Sequence, residues 1–253
     1  MDMRRLQKEP KPQLSSGLRL CGKEGIVEKE EVLQEALAAR GLLYRCAWRL
    51  FAAPMDAEAL RALGDPTAAE AVALLTGDDV TLAQAYDRLV GAGATESPSV
   101  EVLAGEYTKL FVGPGKLPAP PWESVYRSDG DLLFQESTLK VRDAYREAGF
   151  QAKGYPREAD DHLATELSFM VSLIDEAVVA VEAGDAVRAH AFLAAQRKFL
   201  DQHLNGWAPA FACRLAEHLP ANAGAFYSSA ASFAAQLCAQ DVAVVGELLD
   251  VVA

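Results

Sequence analysis

The stretch 28-EKEEVLQEALAARGLLYRCAWRLFAA-53 decides the fold class. Leu33, Leu37, Tyr44, Trp48 and Phe51 recur at steps of three, four and seven, so they share one broad helical face. Pro54 then stops the helix, because its ring removes a donor and clashes with the preceding turn. The same pattern extends outward from this segment. Shorter helices are expected over 56–63, 66–76 and 79–90, with Gly91-Ala92-Gly93 as a linker. Ser97 followed by Pro98 reads as the cap and first residue of a helix reaching Phe111. Further helices are expected over 136–147, closed by Gly149, and over 158–182, with Leu163, Leu167, Val171, Ile174 and Val178 on one face. Asp185 caps a helix ending at Asn205-Gly206, and three more cover 208–219, 223–238 and 242–251. Strand-like alternation is scarce and no repeat is present. The expected fold is all-α, a single globule of about ten or eleven helices over residues 28–253.

Composition narrows the function classes. Of 253 residues, 51% are hydrophobic and 24% charged, which suits a globular chain with a real core. The 24 Lys+Arg against 36 Asp+Glu leave a net charge of −12. A nucleic-acid face needs clustered cations to neutralise phosphates, so nucleic acid is not an expected partner. A basic or apolar partner suits the charge better. The longest uncharged stretch, 219–240, carries Pro220, Asn222, Gly224 and three serines, so it reads as buried helix and not as a membrane span.

Arg4-Arg5-Leu6-Gln7 has the form of a twin-arginine export signal. Lys8-Glu9-Pro10-Lys11-Pro12 follows, with no apolar stretch or small-residue cleavage site. Residues 1–27 therefore read as a flexible extension whose removal leaves stability unchanged, and the protein as cytoplasmic. Cys21, Cys46, Cys213 and Cys238 form no C-x-x-C pair, and three of them lie in apolar helical surroundings. Buried, reduced thiols are expected, with neither a zinc site nor a disulfide framework.

Catalytic and nucleotide motifs are missing: no G-x-S-x-G, no H-E-x-x-H, no G-x-G-x-x-G. Gly113-Pro-Gly-Lys116 lacks the upstream glycine and the Ser/Thr of a phosphate loop. Among four histidines, His162 stands out, because Asp160-Asp161-His162 opens the long helix and Glu166 follows one turn later. Three readings stay open: a metal pair, acids stabilising a helix N-terminus, or recognition of a cationic ligand. Residues 112–135 break the helical pattern, with Pro114, Pro118, Pro120 and Pro121 in eight positions. Trp122 and Tyr126 follow. Aromatics on a stiff, extended loop either anchor a peptide or plug the core between helices.

Two runs in this region carry a family likeness. Glu106-Tyr-Thr-Lys-Leu-Phe-Val-Gly-Pro114, then Leu117-Pro-Ala-Pro-Pro-Trp-Glu-Ser-Val-Tyr126, resembles the signature segment of the TorD/DmsD-type chaperones, the cytoplasmic maturation proteins of bacterial molybdoenzymes. Glu158-Ala-Asp-Asp161-His162-Leu-Ala-Thr-Glu166-Leu is similar to that family's acidic helix start. Phe199-Leu-Asp-Gln-His203-Leu-Asn-Gly-Trp207, with Pro209 and Phe211, is similar to its later helix junction. The resemblance covers residues 28–251. It implies a non-enzymatic, all-helical chaperone that binds the twin-arginine leader and the apo form of a molybdopterin oxidoreductase catalytic subunit. The client would be held until cofactor insertion and before export. The leader site carried over is Leu110, Phe111, Trp122, Tyr126, Asp161, His162 and Glu166. Asp161 would face a leader arginine, and His162 would weaken binding once protonated near pH 6.5. The resemblance implies no cofactor of the chain's own, no integral membrane segment, and a monomer or homodimer. A GTP-binding protein and a metal-dependent all-α hydrolase using Asp161, His162 and Glu166 stand as alternatives.

Overall fold

A computed structural model describes residues 3–5, 23–77, 79–94, 99–127, 136–155, 159–219 and 224–253. The fold is all-α. Among the described residues, α1 (Lys23–Ala52), α2 (Ala57–Leu63), α3 (Pro66–Thr76), α4 (Thr81–Ala94) and α5 (Val100–Tyr107) form the first half. A π-turn over Thr108–Val112 extends α5, and α6 (Glu123–Arg127), α7 (Glu136–Glu147), α8 (Leu163–Glu182), α9 (Ala186–Gln202), α10 (Ala208–Glu217) and α11 (Phe226–Val252) follow. No helix among the described residues is long and apolar enough to cross a membrane.

α8 packs between α1 and α9, and α11 closes the core against α1, α4, α9 and α10. Leu37, Leu43 and Phe51 of α1 meet Leu167, Met170 and Leu173 of α8 in one buried cluster with Leu193, Phe199 and Phe233. Each such side chain is worth about 1.5–3 kcal/mol when buried. The apolar periodicity thus becomes the core directly. One polar lock crosses it: Arg40 is fully buried and donates to both carboxylate oxygens of Asp241 at 2.6 and 2.9 Å.

The α8–α9 connection sets the geometry of the functional end. Gly184 adopts φ +68°, where a side chain would be strained. Its N–H donates to Val181 O at 2.9 Å, and the Asp185 N–H donates to Ala180 O at 2.8 Å, closing a Schellman motif. Asp185 then caps α9 by accepting from the Arg188 N–H at 3.0 Å. So tight a hairpin sends α9 back along α8. The start of α8 and the end of α9 therefore lie side by side.

Several expected boundaries differ. α4 runs through Gly91 and Gly93, because packing against α11 outweighs the roughly 1 kcal/mol cost of each helical glycine. Ser99, not Ser97, caps α5, through a 3.4 Å bond from the Val102 N–H; residues 95–98 lie outside the described residues. α8 begins at Leu163, five residues later than the periodicity indicates. α11 is continuous where two helices were expected, since Asp241 turns its carboxylate onto Arg40 and does not cap a new helix.

The N-terminal extension also departs from expectation. Residues 3–5 form a strand, β1, paired antiparallel with β2 (Phe150–Ala152). Met3 is buried, so this part of the extension is docked and not free. Residues 6–22, with Cys21, lie outside the described residues. Of the remaining cysteines all are free thiols: Cys238 is buried, Cys46 half-buried, and Cys213, against expectation, exposed. Burial raises the Cys46 thiol to about 11, so it is neutral and unreactive at physiological pH.

Candidate functional site

The proline run is held by its carbonyls, as it must be, because proline offers no N–H. Pro118 O accepts from Arg214 Nε at 3.1 Å, and Pro121 O accepts from the Leu163 N–H at 2.9 Å. Next in sequence, Trp122 forms an antiparallel bridge with His162, and the Glu123 N–H donates to Asp161 O at 2.9 Å. Pro121–Glu123 and Asp161–Leu163 thus lie as two short antiparallel runs. The loop and the start of α8, both singled out by sequence, are joined.

Each residue has a definite place in the joint. Trp122 is half-buried and meets His162 edge-on, ring centroids 5.1 Å apart. His162 caps α8: its Nδ1 accepts from the Ala164 N–H at 3.1 Å, which requires the neutral ring. Burial depresses its pKa to about 3. That overturns the expected pH handle, because His162 stays neutral throughout the physiological range. Asp161 is fully buried, and its Oδ2 accepts from the Ser124 N–H at 2.8 Å, capping α6 from across the chain. Its Oδ1 is buried without a partner. An exposed Asp161 facing solvent is therefore not what the fold provides.

Glu166 is fully buried one turn into α8, and its Oε2 accepts from Trp207 Nε1 at 3.1 Å. Burial raises its pKa well above the usual carboxyl range, with the negative charge of nearby Glu123 adding to the rise. Glu123 in turn lies 3.0 Å from His203 Nδ1 and 3.2 Å from Arg127 Nε. Asp160 is paired with Arg142 at 2.6 Å, and its carbonyl accepts from the Tyr145 hydroxyl. Tyr126 stacks on Trp207 at 5.6 Å, with the Arg214 guanidinium 5.8 Å from its ring.

Leu110 and Phe111 are placed differently from expectation. Both are core residues, and Phe111 packs among Phe51, Tyr107, Phe211 and Tyr227 at 5.3 to 6.5 Å. Packed into the core in this way, neither side chain lines an open groove. Sequence reading assigned no role to Glu123, His203 or Trp207. The signal was present, since all three lie inside the quoted runs.

The raised pKa of Glu166 has a measurable consequence. The unfolded chain releases the carboxyl proton near pH 4.3, whereas the folded state keeps it to higher pH. Stability from this group is therefore complete in acid and falls as pH rises toward the raised value, by up to about 1.4 kcal/mol per unit. Glu166→Gln keeps shape and neutrality, so its stability is expected to fall less between pH 5 and 8 than the parent's. Urea denaturation at both pH values checks this. Equal falls in the two proteins would contradict it.

Among the described residues no three His, Cys, Asp or Glu side chains are arranged to hold a metal ion. Gly113–Lys116 lies between the π-turn and the proline run, and the next helix opens only at Glu123, so no helix N-terminus backs it as a phosphate cradle.

Comparison with known proteins places these features. The sequence model of the nitrate reductase delta subunit family matches residues 75–213, which include every candidate residue above. Chaperone protein TorD of Vibrio cholerae is 32% identical over 147 residues, covering 58% of this chain and 64% of TorD, just under two thirds of its length. TorD of Shewanella sp. strain ANA-3 is 26% identical over 206 residues, 80% of this chain and 92% of that protein. The Tat proofreading chaperone DmsD of Salmonella typhimurium is 38% identical over 76 residues, 30% of this chain and 37% of DmsD. The chain belongs to the nitrate reductase delta subunit family, alongside the TorD and DmsD chaperones.

Proposed function

We propose that the protein is a cytoplasmic chaperone, without catalytic turnover, for a molybdopterin oxidoreductase. It binds the twin-arginine leader and the immature enzyme before export. Membership of the family and the names of its relatives support the chaperone class; the joint between the proline loop and α8 supports the leader as ligand. The observation carrying this reading is Asp161 Oδ1, a buried carboxyl oxygen with no hydrogen-bond partner, on the residue next to the His162 that pairs with half-buried Trp122. A buried acceptor left open is costly, about 1–3 kcal/mol, and a guanidinium satisfies it with a charge-assisted bond. Trp122 and Tyr126 offer aromatic surface to the apolar stretch after the arginines. The net charge of −12 speeds encounter with a basic segment.

Calorimetric titration of the full chain tests this. The probe is a synthetic leader with two consecutive arginines and a following apolar stretch. Saturable binding is expected, weakened about tenfold or more when both arginines become glutamine. No binding, or equal binding by both peptides, would contradict the proposal.

A further inference from the structure

The chain's own twin arginines are bound. β1 is only three residues long, yet each of them is used: Met3 pairs with Ala152, Arg4 with Gln151 and Arg5 with Phe150. Side chains alternate along a strand, so Met3 and Arg5 share one face and Arg4 takes the other. Met3 is buried. Arg5 forms an ion pair with Glu176 of α8, a carboxylate only 15% exposed that also receives Arg188. Arg4 donates twice to Gln151 Oε1, at 3.1 and 2.6 Å, across the strand pair. Backbone pairing, an apolar contact and two guanidinium acceptors therefore meet on three consecutive residues.

Among the described residues β1 and β2 are the whole sheet. Without β1, the edge of β2 would present unpaired backbone groups, the usual template for strand addition. Beside that edge stand the carboxylate of Glu176 and the amide of Gln151. We infer that the β2 edge and Glu176 form a docking site for an extended, arginine-bearing segment of another protein, and that residues 3–5 hold it closed as a tethered competitor. The occupant itself carries the argument: the edge recognises two consecutive arginines because it already holds them. β1 lies 17 residues before α1 begins, so it is covalently retained yet anchored by few contacts. Tethering gives an effective concentration on the order of millimolar. With an in-trans affinity of about 100 µM for residues 3–5 themselves, any outside segment is then suppressed about tenfold, which a tighter-binding partner can overcome. The inference stands apart from the leader site at Trp122 and does not rest on it.

The test uses the full chain, parent and R4Q/R5Q, with a fluorescent peptide of residues 1–8 (MDMRRLQK) read by polarisation. The R4Q/R5Q variant is expected to bind the peptide about tenfold more tightly than the parent. Adding Glu176→Gln should remove that gain. The same peptide with its second arginine changed to glutamine should bind weakly to an unaltered R4Q/R5Q protein, a control that leaves the fold untouched. Amide exchange at 150–152 should also quicken in R4Q/R5Q. Equal peptide binding by parent and R4Q/R5Q would overturn the inference. So would a loss of peptide binding on Trp122→Ala, which would put the peptide on the aromatic loop and leave the leader proposal standing. A parent dimer that becomes monomeric in R4Q/R5Q would overturn it in favour of strand exchange between copies. If the leader peptide binds the parent no better than its glutamine version and Trp122→Ala changes nothing, while MDMRRLQK binds R4Q/R5Q through Glu176, the leader proposal fails and this one holds.

Discussion

Replacing Asp241 with alanine is expected to destabilise the fold by about 3–5 kcal/mol, the cost of breaking a buried ion pair from one side. Asp241 accepts two bonds from Arg40 and one from the Tyr44 hydroxyl at 2.8 Å. Arg40 also donates to Gln196, whose amide donates to Leu173 O, so the network joins α1, α8, α9 and α11. Burial works against the Arg40 charge, and the Asp241 carboxylate more than offsets it, leaving the guanidinium pKa raised. Without Asp241 that charge stays in the core beside a single neutral acceptor. Replacing both members, Arg40→Met with Asp241→Leu, should recover much of the loss, because no charge is then stranded. A double-mutant cycle by urea denaturation measures both effects. A loss below about 1 kcal/mol for Asp241→Ala would show that the pair contributes little.

Trp122→Ala is expected to cost about 2 kcal/mol or more of leader binding, the size of an anchoring aromatic. Asp161→Asn keeps the shape and removes the charge, at an expected cost of about 1.5–3 kcal/mol. Salt separates these poorly, because Asp161 is buried and weakly screened. The leader's own arginines separate them. Asp161→Asn should cost little more once the arginines are glutamine, whereas the Trp122→Ala loss should persist. Both variants must still melt cooperatively. Full additivity of Asp161→Asn with the arginine changes would mean that Asp161 acts only by capping α6.

Sequence reading succeeded where the cause is local. The stripe of α1 and the Asp185 cap depend on residues within a turn or two, and both stand where periodicity puts them. It failed where a distant partner decides. The segment 223–251 reads as two helices until Arg40, 201 positions before Asp241, takes the Asp241 carboxylate inside one continuous helix. His162 reads as part of the opening turn of a helix over 158–182 until the Trp122 run pairs with it and moves the start of α8 to Leu163. Gly91 and Gly93 read as a linker until α11 packs on α4. The same holds for the site. Trp122, Tyr126, Asp161, His162 and Glu166 were named from their runs, and the structure brings those runs together. Trp207 meets Glu166 across 41 positions, and Glu123 meets His203 across 80. Those meetings follow from the α8–α9 hairpin, which no single run displays.

The central claim is that the loop pinned on α8 is where the leader binds. Amide hydrogen exchange of the parent protein, with and without the synthetic leader, reads that location without altering any residue. Slowed exchange is expected over 122–127 and 159–166, while the α11 core stays unchanged. Saturating leader that slows exchange elsewhere and leaves both segments as they were would contradict the account.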